Sequence, residues 1–111
     1  MRYGRFGKLG TRPGQRDAIV TILLRDVEAL RGAGCELYVV NTAPTDPDAV
    51  WVMEVWTSRE AHRASLQLPS VKQAIAEAMP MLSGEFESSE LDTLGGLGLA
   101  GPSSDPPGMA S

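Results

Sequence analysis

The chain has 111 residues, enough for one domain, and its 42% apolar and 22% charged residues are typical of a soluble globular protein. The net charge of −4 argues against a nucleic-acid partner, and no apolar run approaches the roughly 18 residues that a membrane-spanning helix needs. Cys35 is the single cysteine, which excludes an internal disulfide and a multi-cysteine metal site. Residues 1–10 lack the apolar core of a signal peptide, so we expect a cytoplasmic protein with no membrane partner.

The first predicted elements are a strand and a long helix. Residues 2–9 alternate loosely between apolar and polar side chains, which predicts a strand. A turn follows at 11–14, and Pro13 suits the first turn of a helix that we expect to extend to about residue 31. The apolar residues of this helix recur at helical spacing and form one stripe, Ile19, Ile22, Leu23, Val27 and Leu30.

Two further strands are predicted in the middle of the chain. Residues 35–42 are rich in β-forming side chains, and the prolines within 43–48 predict a turn after them. Residues 49–57 are apolar on both faces, which is typical of a central strand covered on both sides. Alternation places Glu54 and Trp56 on one face of this strand. The opposite face carries Trp51, Met53 and Val55.

A divided helical region and a last strand complete the predicted domain. Ser58 or Thr57 caps a helix over 58–67, a second helix begins at Pro69 and extends to about residue 82, and residues 85–92 predict a strand. The order β-α-β-β-α-β indicates an α+β fold with a ferredoxin-like antiparallel sheet, in which the last strand lies beside the first. That pairing brings basic residues of the first strand opposite acidic residues of the last.

The composition changes after residue 92. Glycine, proline and serine dominate residues 93–111, and such a segment buries too little apolar surface to order itself. We therefore expect one domain over residues 1–92 and a C-terminal tail over residues 93–111.

Residues 54–61, EVWTSREA, resemble the E-x-W-x-s-x-e-A signature of the antibiotic biosynthesis monooxygenase family. Other segments resemble the family in order and spacing, namely RPGQ at 12–15, GCELY at 34–38 and the helix that follows Pro69. The resemblance extends over residues 2–92.

This resemblance implies a dimeric α+β barrel, in which the sheets of two protomers pack face to face and each protomer keeps a pocket between sheet and helices. It places Glu54 and Trp56 in that pocket, and it assigns Trp51, Met53 and Val55 to the dimer core. Characterised enzymes of the family oxygenate phenols or hydroquinones with dioxygen, and the substrate anion donates the electron. The resemblance thus implies a homodimer, a small aromatic ligand, no metal and no other cofactor.

The chain departs from the family pattern at three positions. Ser65 and Ser70 stand where many relatives have histidine, and Val52 stands where some of the oxygenases have asparagine. These differences concern the chemistry of the pocket and leave the predicted fold unchanged.

Three residues are candidate catalytic groups. Burial would raise the pKa of Glu54 and suit it as a general base, whereas the alternative is an ion pair with Arg5 or a hydrogen bond to a helix N-terminus. Trp56 can stack on a planar ligand or simply fill the core. His62, the single histidine, can act as a base or a donor, although a lone histidine on a short helix is more often a surface residue.

Three more residues are candidates for substrate binding. Tyr38 and Tyr3 can offer phenolic donors to the cavity, although Tyr38 shares strand parity with Glu36 and can equally face the other side of the sheet. Arg5 can hold a substrate enolate or pair with an acidic strand residue. We expect Cys35 to be a buried, inert thiol.

These candidates lead to three functional hypotheses. The first is a cofactor-independent monooxygenase that acts on a polycyclic phenol or hydroquinone. The second is a non-oxidative isomerase on the same scaffold, in which Glu54 transfers a proton. The third is a non-catalytic dimer that binds a ligand or assists another protein.

Overall fold

The structure is a computed structural model and describes residues 1–99. Four strands and four helices follow one another along this part of the chain, with a short 3-10 turn before the last strand. The elements are β1 (Arg2–Thr11), α1 (Arg16–Leu24), α2 (Val27–Gly32), β2 (Cys35–Ala43), β3 (Asp46–Trp56), α3 (Arg59–Ser65), α4 (Pro69–Ala78), the 3-10 turn (Met79–Met81) and β4 (Leu82–Thr93).

The strands form one antiparallel sheet in the order β2-β3-β1-β4. This order confirms the predicted α+β fold of ferredoxin-like topology, with β4 beside β1. The register places Arg5 opposite Glu54 on one side and opposite Glu90 on the other. Two of the expected charge pairs join β1 to β4, since Arg5 lies 3.8 Å from Glu90 and Lys8 lies 4.0 Å from Glu87.

The core lies between the helices and one face of the sheet. Ile19 and Ile22 of α1 pack against Val50 and Val52 of β3, and Ala78 of α4 closes the same cluster. These positions agree with the helical and strand periodicities of the sequence. Full burial of one such aliphatic side chain stabilises the fold by about 1.5–3 kcal/mol.

The first helical region is shorter than predicted and is divided. Pro13 and Gly14 form a turn instead of a first helical turn, and Gly14 has a positive φ of 79° that glycine tolerates without strain. Helix α1 ends at Leu24, and α2 begins after Asp26, whose φ and ψ of −125° and 41° are not helical. Aspartate is a poor interior helix residue because its side chain competes for backbone hydrogen bonds, so it favours a helix start.

The β2–β3 connection is a two-residue turn, Pro44 and Thr45, rather than the predicted turn over 43–48. Pro47 therefore lies inside β3. Its position is compatible with a strand because the register of the β2–β3 ladder shifts between Asn41 and Ala43, opposite this segment. A proline that lacks an N–H donor is tolerated at such an irregularity.

The remaining boundaries differ by a few residues from the prediction. Ser58 caps α3 by accepting a hydrogen bond from the backbone N–H of Ala61 at 3.0 Å. Strand β4 begins at Leu82 instead of residue 85, and Gly84, with φ 95°, lies where the β1–β4 register shifts.

Within residues 1–99, no helix has the length and apolar character needed to cross a bilayer. Most of the predicted tail, residues 100–111, lies outside the described part of the chain.

Candidate functional site

A cavity of about 330 Å³ lies between the helix-facing side of the sheet and helices α1, α3 and α4. Its wall is mostly apolar, with contributions from Ile19, Leu66, Ala74 and Phe86 among others. Few polar side chains interrupt this wall. They are Asp26, Tyr38, Glu54, Trp56, His62, Ser65 and Ser70.

Glu54 is the carboxylate at the sheet side of this cavity. It accepts a hydrogen bond of 3.0 Å from the indole N–H of Trp56, two residues along the same face of β3. Burial raises the pKa of Glu54, while the bond from Trp56 and the charge of Arg5 act in the opposite direction. Neither alternative expected for Glu54 occurs here, because within residues 1–99 it forms no ion pair with Arg5 within 4.0 Å and no hydrogen bond to a helix N-terminus.

Trp56 fills the core and also lines the cavity. Its side chain is only 1% exposed and belongs to a small core cluster with Tyr3 and Cys35. It also contributes to the cavity wall, where its ring meets the His62 ring edge-on with the centroids 5.3 Å apart. The indole therefore connects the carboxylate of Glu54 with the imidazole of His62.

His62 is half-buried in the cavity wall, in contrast to the surface position expected for a lone histidine on a short helix. Helix α3, with its Ser58 cap, holds it against the rings of Trp56 and Tyr3, the latter at 5.5 Å. Burial lowers the pKa of His62, and the nearby charge of Arg5 lowers it further. The neutral imidazole is therefore favoured, and it can accept a proton.

Tyr38 lies on the cavity side of the sheet, directly opposite Glu54. The register shift between Cys35 and Leu37 breaks the simple alternation of β2, so Tyr38 does not share a face with Glu36, whose carboxylate pairs with Arg2. Burial raises the pKa of Tyr38, and so does the neighbouring Glu54. The phenol therefore remains a neutral hydrogen-bonding group.

Cys35 is buried beside Trp56, as predicted. Burial raises the pKa of its thiol to about 11, with Glu54 contributing to the shift. Since the thiolate is the reactive form of cysteine, this position favours an inert thiol.

Tyr3 and Arg5 belong to a polar network beside the cavity. The Tyr3 hydroxyl donates to Glu90 at 2.7 Å and accepts from Arg5 at 3.0 Å, and Arg59 donates to the same carboxylate at 2.9 Å. Tyr3 does not belong to the wall of the 330 Å³ cavity, in contrast to the prediction, because its ring packs under His62 and its hydroxyl points to β4.

Several residues of the cavity wall were not among the predicted site residues. Ser65 and Ser70 line the cavity, and the available signal was that both stand at expected departures from the family pattern. Phe86 had no such signal, since it reaches the cavity only through the pairing of β4 with Leu9 of β1. Val52, at the third departure, packs in the core. Within residues 1–99, no group of three or more potential ligands forms a metal site.

The chain forms an α+β domain whose ferredoxin-like sheet carries a largely apolar, helix-covered pocket. The chain belongs to the antibiotic biosynthesis monooxygenase family, since the family's sequence model matches residues 3–77. No functionally curated protein shows a significant sequence match.

Solved structures support the same assignment. A protein from Chloroflexus aurantiacus J-10-fl, provisionally named an antibiotic biosynthesis monooxygenase, is 43% identical, with a TM-score of 0.78 over 90% of this chain and 100% of its own. A similarly named protein from Caulobacter crescentus CB15 is 20% identical, with a TM-score of 0.75 over 83% of this chain and 89% of its own. A Mycobacterium tuberculosis protein is 19% identical, with a TM-score of 0.73 over 87% and 99%. The last two show the fold alone.

Proposed function

We propose that this protein is a cofactor-independent monooxygenase that oxidises a phenol or hydroquinone with dioxygen. The observation that carries the proposal is the Glu54 carboxylate, which lies in a mostly apolar cavity with a raised pKa and a hydrogen bond from Trp56. A base in such a place can take a phenolic proton from a ligand that the apolar wall excludes from water. Family membership supplies the expectation of oxygenation.

The residues suggest a division of roles. Trp56 and Tyr38 border the space for a planar ring, and the mostly apolar wall favours an apolar aromatic ligand. Glu54 accepts the phenolic proton, and the neutral His62 is a second acceptor at the same wall. Both side chains act here as proton acceptors, and neither needs to supply electrons.

The overall reaction balances without an external reductant. A phenol with an unsubstituted para carbon reacts with one dioxygen molecule to give a quinone and one water. The ionised substrate donates the electrons, a C–O bond forms at the para carbon, and the O–O bond breaks as water leaves. One oxygen atom remains in the quinone and the other enters water, while dioxygen gains four electrons. The protein's contribution is deprotonation, orientation and exclusion of bulk water.

Oxygen uptake with a panel of hydroxynaphthalenes and anthrones tests this proposal. We expect uptake by the wild-type protein and a loss of at least about 100-fold in kcat/KM for Glu54→Gln, the usual scale for a general base. Product formation in ¹⁸O₂ should place one labelled atom in the quinone. If no compound supports uptake while one binds, the monooxygenase proposal is wrong. Proton exchange or isomerisation of such a ligand, measured by NMR, would then indicate the isomerase alternative.

We also infer that two copies associate through the sheet face away from the helices. Phe6, Val39 and Leu91 are between 41% and 45% exposed on this face, beside the half-buried Trp51 and Met53. A single chain leaves this apolar surface uncovered, and a second sheet would bury it. Val55, which we expected in the dimer core, is already only 1% exposed within one chain, so a second sheet would bury little more of its side chain.

A further inference from the structure

A second cavity of about 430 Å³ adjoins the first. It lies along β1 and β4 on the helix-facing side of the sheet. The two cavities share five wall residues, Leu9, Leu23, Tyr38, Glu54 and Phe86. Glu54 and Tyr38 thus stand at the junction of two compartments, so a ligand in the first cavity can extend a substituent into the second.

The second cavity exists where β1 lacks a side chain. Gly7 occupies a helix-facing position, opposite Val52 of β3 and Ser88 of β4. A Cβ atom there would lie 3.3 Å from the backbone oxygen of Glu87 and 3.6 Å from Cβ of Ser88. The first distance is slightly tight, so a small side chain requires only a minor shift of β4, whereas a branched one would fill the space above the strand.

The wall of this cavity contains the cations Lys8 and Arg5 and the carboxylates Glu54 and Glu87, and the cation on its helix-facing side is Arg5. It lies two residues before Gly7 and therefore on the same face of β1, whereas Lys8 points to the opposite face and covers the Trp51 ring at 5.4 Å. One guanidinium donor bonds to Tyr3, and the Glu90 carboxylate is 3.8 Å away. Within residues 1–99 no closer anion faces Arg5, so donors remain for a ligand.

We propose that the second cavity is a subsite for a carboxylate, so that the natural ligand is a phenol or hydroquinone whose ring system carries an acidic substituent. The planar guanidinium of Arg5 matches a carboxylate in shape and charge, and the Ser88 position across from Gly7 offers a hydroxyl. This inference rests on the proposed function for the aromatic part of the ligand.

Binding of three probes with one ring system tests the subsite without requiring turnover. The probes are 1-naphthol, 1-hydroxy-2-naphthoate and its methyl ester, measured by calorimetry at pH 7 on the full-length protein. We expect the carboxylate to bind about tenfold more tightly than the ester, the scale of a charged hydrogen-bonded contact. Arg5→Gln should abolish this preference and change the 1-naphthol affinity by less than about twofold.

Two further variants control the interpretation. Arg59→Gln removes a cation of the same Glu90 network that lines neither cavity, so it should retain the preference for the carboxylate. Gly7→Val should fill the subsite and remove the preference while 1-naphthol still binds, which also shows that the variant is folded. A carboxylate preference absent from the wild-type protein, or retained in both Arg5→Gln and Gly7→Val, overturns the subsite.

These outcomes are separate from those of the oxygenase test. Binding of 1-naphthol without a carboxylate preference overturns the subsite and leaves the proposed function standing. A carboxylate preference without any oxygen uptake supports the subsite and argues against the oxygenase. Failure of all three probes to bind contradicts both proposals, because the aromatic pocket would then be wrong.

Discussion

The indole N–H of Trp56 donates a hydrogen bond of 3.0 Å to the carboxylate of Glu54 within one strand. Residues two apart in a β-strand share a face, so β3 delivers donor and acceptor to the cavity together. The carboxylate therefore has a partner that stabilises its charged form, while the apolar surroundings favour the neutral form. This balance between two opposing effects determines when Glu54 can act as a base.

Trp56→Phe should move the acid limb of the kcat/KM–pH profile to higher pH. The substitution removes the hydrogen bond that lowers the pKa of Glu54 and leaves burial, which raises it. The fold should lose about 1–3 kcal/mol, because a 1%-exposed indole becomes a smaller ring. Trp51→Phe is the matched control, since it removes the other tryptophan from the opposite face. An acid limb that stays in place would contradict the role of the Trp56 bond.

Glu54→Gln should gain stability relative to the wild type as the pH rises from 4 to 8. The folded state raises the pKa of Glu54, so it retains the proton more strongly than the unfolded state does. The wild-type protein is therefore free of this penalty below the unfolded pKa and carries it fully above the folded pKa, whereas glutamine never ionises. Thermal unfolding of both proteins across this range is the measurement. A constant difference in Tm would show that Glu54 titrates normally.

Ile19→Ala should lower the free energy of unfolding by about 2–5 kcal/mol, because Ile19 is fully buried between α1 and β3. Leu24→Ala, on the same helix but 46% exposed, should cost less than about 1 kcal/mol. Urea denaturation followed by circular dichroism compares the two variants. Equal losses would mean that α1 does not pack as the structure shows.

Phe6→Asp should convert the proposed dimer to a monomer, because a charge replaces an apolar side chain at the centre of the exposed sheet face. Leu24→Asp is the control, since Leu24 is 46% exposed and Phe6 is 45% exposed, but Leu24 lies on a helix. Sedimentation velocity at micromolar concentration measures both. A wild-type protein that sediments as a monomer would rule out the sheet-to-sheet dimer.

Local sequence patterns were sufficient to predict most of the fold. Helical spacing located Ile19 and Ile22, and alternation put Glu54 and Trp56 on one face, because both periodicities are properties of the backbone. The break between α1 and α2 was missed because the apolar stripe continues past Asp26 without a proline or glycine. The length of the β2–β3 turn was misjudged because Pro47 is compatible with a strand only where the ladder shifts, which depends on the pairing.

The candidate site, too, could be predicted from the sequence only in part. Glu54, Trp56 and His62 could be chosen as candidates from the sequence alone. Glu54 stood out because burying an unpaired carboxylate in an apolar strand costs free energy. Alternation placed Trp56 beside Glu54, but only the structure showed that Trp56 and not Arg5 bonds to the carboxylate. The second cavity also exists only in three dimensions. It forms where β1 and β4 pair so that Gly7 leaves space beside Arg5, a juxtaposition that strand register decides.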